Sequence, residues 1–130
     1  MKKSTAKKST AKKAKPLEKE IEKKVCDYAK ASGMLVYKFT SPARRSVPDR
    51  LFIPEGKSAF FIEFKREGGE HPTEAQEVEI AKIRGQGMRV FIIDNVQDGR
   101  NLIDYVRAGI QIYSRPAFST GFYMAQLTGF

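Results

Sequence analysis

Asp49, Glu63 and Lys65 are the residues of this 130-residue chain whose types and spacing could do chemistry together. Phe60-Phe61-Ile62-Glu63-Phe64-Lys65 reads as a strand, in which side chains alternate, so Phe61, Glu63 and Lys65 share one face and Phe60, Ile62 and Phe64 the other. Both faces begin apolar, as in a central strand covered on two sides. Glu63 and Lys65, about 7 Å apart on one face, then require a polar pocket, because charges are almost never buried unpaired. An E-x-K triplet alone fits an ordinary surface ion pair equally well. Asp49 favours the pocket: it opens the preceding strand, and the 13 residues between it and Glu63 let a hairpin turn bring the two carboxylates together. Carboxylates so placed repel each other unless a cation neutralises them, and a divalent metal is the economical partner. A neighbouring lysine can orient water or stabilise charge developing on a phosphate. These parts suit metal-assisted hydrolysis of a phosphodiester.

Rival chemistries lack their residues. There is no Gly-Lys-Ser/Thr phosphate loop and no nucleophile elbow. One cysteine, Cys26, excludes an intramolecular disulfide and a Cys-rich zinc site, and one histidine, His71, leaves no His-built centre. A metal would therefore sit on oxygen ligands, which selects Mg²⁺ or Mn²⁺, and no organic cofactor is expected. No apolar run exceeds four residues, far short of the ~20 of a membrane span. The charged amino terminus is followed by no apolar segment, so a secretory signal is not expected either. The expected setting is a reducing interior: cytoplasm, or a host-cell interior if the protein is viral.

Recurring elements must position these groups. Leu17, Ile21, Val25, Tyr28, Ala29 and Ser32 recur at helical spacing between Pro16 and Gly33. Met34 to Phe39 reads as a strand, and Thr40 to Ser46 as a basic loop. Leu51 to Ile53 and Ala59 to Lys65 flank the turn Pro54-Glu55-Gly56-Lys57 as a hairpin. Thr73 with Gln76 three residues on has capping-box spacing and opens a helix to about Arg84; a strand follows over 88–93 and a last helix over 100–106. The order α-β-β-β-α-β-α predicts an α/β domain with a mixed sheet flanked by helices.

Charge is divided unevenly. The formal net charge is +9, from 24 Lys and Arg against 15 Asp and Glu. Residues 1–15 repeat Lys-Lys-Ser-Thr-Ala and hold seven lysines, Lys12, Lys13 and Lys15 among them, with no acid, so +7 lies in the tail and +2 in the rest. The tail is expected to be disordered and to gain affinity for nucleic acid by displacing phosphate counterions, or else simply to solubilise. Residues 16–113 are expected to form the domain. Residues 114–130 carry aromatic residues with Arg115 as their one charge, and are expected to pack on the sheet or to form a dimer contact. Arg44, Arg45 and Arg50 flank Asp49 and are candidate phosphate contacts.

Pro48-Asp49, thirteen residues, then Glu63-Phe64-Lys65 resembles the PD-(D/E)XK signature of restriction-endonuclease-like nucleases. Within that superfamily the ordered set resembles the VRR-NUC family, the virus-type replication-repair nucleases. The likeness covers residues 17–94: an acidic first helix ending in Gly, an Arg-rich loop into Val47-Pro48-Asp49, the Glu63-Phe64-Lys65 strand, a Gly-containing loop and Thr73-Glu74-Ala75-Gln76. One departure is Ser46, where family members commonly carry Gly. The resemblance implies that Asp49, Glu63 and the carbonyl of Phe64 bind the metal, that Lys65 supports the attacking water or transition state, and that Gln76 lies near the active site. It also implies an acid from the first helix, matched by Glu18 with Glu22 in reserve. It further implies structure-specific cutting of branched DNA; a small stand-alone member is similar to Holliday-junction resolvases acting as homodimers. Flap or nonspecific cutting, and a non-catalytic nucleic-acid-binding module, are the competing functions.

Overall fold

A computed structural model describes residues 17–44, 46–68 and 71–124. The Lys-rich tail, Arg45 and the last six residues lie outside the described residues. Helix α1, Glu18–Ala31, buries Ile21, Val25, Cys26 and Ala29 as one stripe. Leu17 precedes it, its backbone N–H donating to the Glu20 carboxylate at 3.0 Å. Gly33, at φ +95°, turns the chain into β1, Leu35–Lys38.

Strands β2, Arg50–Ile53, and β3, Phe60–Phe64, follow as the expected hairpin. Helix α2, Glu74–Gly85, is the crossover to β4, Arg89–Ile93, which lies parallel to β3. The sheet order β1-β2-β3-β4 makes β3 an interior strand, and all five of its residues are buried. Thr73 caps α2 as its spacing predicts: its hydroxyl accepts from Gln76 N at 3.1 Å, and the Gln76 side chain accepts from Thr73 N at 2.9 Å.

The alternation in β3 divides the core. Phe60, Ile62 and Phe64 face α1 and α3, where Phe52 stacks on Phe60 at 5.1 Å and Phe91 meets Phe60 edge-on at 5.8 Å. Phe61 lies on the opposite face with Ile80, Val90 and Ile92, under α2.

Helix α3 spans Val96–Arg107, four residues longer at its start than the expected 100–106, because Asn95 caps it by accepting from Asp98 N at 2.7 Å. Gly99 is buried inside this helix, where α3 meets α1 at Val25. Strands β5, Ile112–Ser114, and β6, Phe122–Met124, then pair as a hairpin. Gly121 (φ +90°) donates to the Ile92 carbonyl at 2.7 Å, and Phe122 meets Phe91 and Tyr105 edge-on. The hairpin therefore spans position 113, the expected end of the domain, and packs one of the late aromatics on the sheet. Among the described residues no helix is long and apolar enough to cross a membrane.

Candidate active site

Asp49 is placed by the strand ends. Its carbonyl accepts from Phe39 N at 2.9 Å, which holds the chain beside β1. Its carboxylate reaches across the hairpin, Oδ2 accepting from Phe64 N at 2.7 Å. The loop before it needs no left-handed residue: among the described residues every positive φ belongs to glycine, so Ser46 fits without strain.

Glu63 is 2 % exposed and Lys65 7 %, the buried charged residues among those described. Gln76, from the first turn of α2, joins them. Its Nε2 donates to Glu63 Oε2 at 2.8 Å, and its Oε1 accepts from Lys65 Nζ at 2.7 Å and also from the Thr73 backbone. Lys65 Nζ stands 3.6 Å from the same Glu63 oxygen. A helix-capping residue thus orients both charged groups, and the capping and site readings of Gln76 are satisfied together. The other oxygen of Glu63, Oε1, is buried without a hydrogen-bond partner among the described residues.

Burial pushes the Glu63 carboxyl up to about 8, helped by the charges of Asp49 and Glu18 and opposed by Lys65. Burial likewise raises Asp49, opposed by its hydrogen bond from Phe64 N and reinforced by Glu22. Two acids of α1 therefore face the site. Glu18 acts on Glu63, whereas Glu22 acts on Asp49 and is itself bound to Arg50 Nε at 2.5 Å.

The arginines flanking Asp49 are engaged within the protein. Arg50 is held by Glu22, and Arg44 Nε donates to both carboxylate oxygens of Glu79 on α2 at 3.0 Å. Neither pairing has a sequence signal, because the partners lie 28 and 35 residues away. Arg45, Lys12, Lys13 and Lys15 lie outside the described residues. Cys26 is buried, and burial pushes its thiol up to about 11, a packing residue rather than a nucleophile.

No family model matches the chain. A relative named "Putative nuclease p44", from Acyrthosiphon pisum secondary endosymbiont phage 1, is 42% identical over 79 residues, covering 60% of this chain and 83% of that protein. A solved structure described as "VRR_NUC domain" superposes with a TM-score of 0.62 at 28% identity, over 68% of this chain and 95% of that one. A second, a "VRR_NUC domain protein", shares the fold with a TM-score of 0.61 at 15% identity, over 82% of this chain and 98% of its own. Shared sequence with a phage nuclease and a shared fold, together with the buried acid–amide–lysine cluster, identify this chain as a nuclease belonging to the VRR-NUC family.

Proposed function

We propose that this nuclease is a divalent-metal-dependent endonuclease that hydrolyses phosphodiester bonds in branched DNA, with Asp49 and Glu63 as its metal ligands. The observation that carries this reading is the orphaned Glu63 Oε1, buried next to a second carboxylate while its sister oxygen is fixed by Gln76. A hard cation satisfies such a donor set. The Asp49 and Glu63 carboxylates and the Phe64 carbonyl supply oxygens suited to Mg²⁺ or Mn²⁺, ions that keep several waters and need few protein ligands.

A bound cation of this kind polarises a phosphoryl oxygen and lowers the pKa of water. The chain's own residues do the rest. The Phe64 amide holds the Asp49 carboxylate at the strand end. Gln76 holds Glu63 and Lys65 by one hydrogen bond each, and Lys65 would offer its ammonium to the negative charge growing on a bound phosphate. Glu18 approaches Glu63 from α1 and adds negative charge that favours a cation.

In this reading residues 16–113 carry the nuclease domain, with the rest of the β5–β6 hairpin packed onto it, and residues 1–15 contribute phosphate affinity. The segment from 114 onward offers a dimer contact, because among the described residues Phe118 and, on β6, Tyr123 and Met124 are exposed apolar groups, with Tyr113 beside them on β5. A four-way junction needs two symmetric incisions, which a homodimer supplies. The test is a panel of four-way junction, flap and linear duplex, incubated with Mg²⁺ or with EDTA, alongside sedimentation of the protein. Paired incisions in the junction by a dimer are expected. A monomer that cuts all three equally would overturn the resolvase reading, and binding without any cutting would leave a non-catalytic module.

A further inference from the structure

We infer that the cleft between α1 and the paired ends of β1 and β2 is the track along which the phosphates of a DNA strand run to the active site. This rests on the nuclease reading above and names the surface through which its substrate is held.

The cleft encloses about 320 Å³. One wall is a single stripe of α1, with Lys19, Glu22, Lys23, Cys26 and Lys30 at helical spacing. The other is Lys38 and Arg50, which are register partners across the antiparallel pair. Both acids in these walls are already committed. Glu22 holds Arg50, and Asp27 holds Lys23 at 2.7 Å. Lys19, Lys30 and Lys38 make no ion pair among the described residues, so three ammonium groups remain to meet an anion.

The geometry suits an extended polyanion rather than a small one. From Lys19 to Lys30 the helix rises about 16 Å, the axial rise of roughly five nucleotides of one strand. The cleft adjoins the active site: its residues Lys38 and Arg50 sit at the paired strand ends beside Phe39 and Asp49, and the charges of Lys38 and Glu22 both act on Asp49. Near Lys19 it meets residue 17, to which the +7 segment is joined. The alternative basic surface, the loop of Arg44, is less available, because Arg44 is bound by Glu79 on the α2 side of the sheet.

The test measures binding without cleavage. Anisotropy of a labelled duplex in EDTA is followed from about 50 to about 200 mM salt for wild type, Lys19→Ala/Lys30→Ala, and the equal-charge control Lys57→Ala/Lys82→Ala. Each lost phosphate contact lowers the slope of log affinity against log salt by about 0.9. The cleft variant is expected to lose about 2 from that slope and to bind tens of fold more weakly near 0.1 M salt. The control is expected to keep the wild-type slope. Adding Lys38→Ala should lower the slope by about one more. If the cleft variant behaves like the control, the track is wrong. Cleavage by wild type in Mg²⁺, measured in parallel, keeps the two readings apart. A wild type that cuts, with an unaltered slope in the cleft variant, sinks only the track. A wild type that never cuts sinks the nuclease mechanism, while the slopes still decide the track.

Discussion

Replacing Glu63 with Gln should stabilise the metal-free protein in a strongly pH-dependent way. Glu63 carries its proton with a pKa of about 8 in the fold against 4.5 in an unfolded chain, chiefly because the carboxyl is buried. A carboxyl raised in this way contributes stability that is fully present below 4.5 and is lost as pH rises through 8. Each pKa unit corresponds to about 1.4 kcal/mol. At about pH 7 wild type has therefore given up about 3 kcal/mol, and above pH 8 about 5 kcal/mol, relative to acid conditions. Glutamine is neutral throughout and can still accept from Gln76 Nε2, so Glu63→Gln escapes this loss. Urea unfolding in EDTA should give equal stabilities for the two proteins near pH 4. The variant should gain about 3 kcal/mol by about pH 7, on the order of 10 °C in Tm. Mg²⁺ should raise the stability of wild type and leave the variant unmoved. A stability difference that stays flat with pH, or favours wild type without metal, would refute the electrostatic account of the site.

Other consequences follow from particular contacts. Gln76→Ala removes the side-chain half of the capping box, the bond from Thr73 N, and leaves Glu63 and Lys65 without their shared partner, and should cost about 2 kcal/mol by chemical denaturation together with a large loss of cleavage; wild-type activity would remove Gln76 from the site. Gly99→Ala should destabilise by about 1 to 3 kcal/mol despite its better helix propensity, because an added Cβ would lie 2.4 Å from Val25 Cγ2 and 3.3 Å from Val25 Cβ, which rotation about χ1 cannot move; an unchanged melting temperature would contradict that packing. Cys26, buried with its thiol raised to about 11, should resist iodoacetamide in the native protein at about pH 8 and react once unfolded, by mass spectrometry.

The parts of the site that depend on local pattern were legible in the sequence. Alternation alone places Glu63 and Lys65 on the Phe61 face of a central strand, and the Thr73–Gln76 spacing announces the α2 cap. What pattern cannot carry is which distant group a side chain meets. The second use of the Gln76 amide, between Glu63 and Lys65, exists only because the crossover sets the α2 terminus against the end of β3. In the same way Arg44 and Arg50 read as free cations, and the fold hands them to Glu79 and Glu22. The start of α3 was hidden because Gly99 interrupts its helical pattern, although its close approach to Val25 is what a glycine there permits. The β5–β6 hairpin was hidden because its strands are three residues long and its anchor, Gly121 on Ile92, is a long-range backbone bond.

Asp49 and Glu63 are proposed to hold a divalent ion that makes phosphodiester hydrolysis possible. The most direct test is the single-turnover rate of cutting a supercoiled plasmid as Mn²⁺ is titrated, for wild type and Asp49→Ala. The wild-type rate should rise from zero and saturate with Mn²⁺, and the variant should be slower by on the order of a thousandfold at every concentration. Equal rates for the two proteins, or full wild-type cutting in EDTA, would contradict this role.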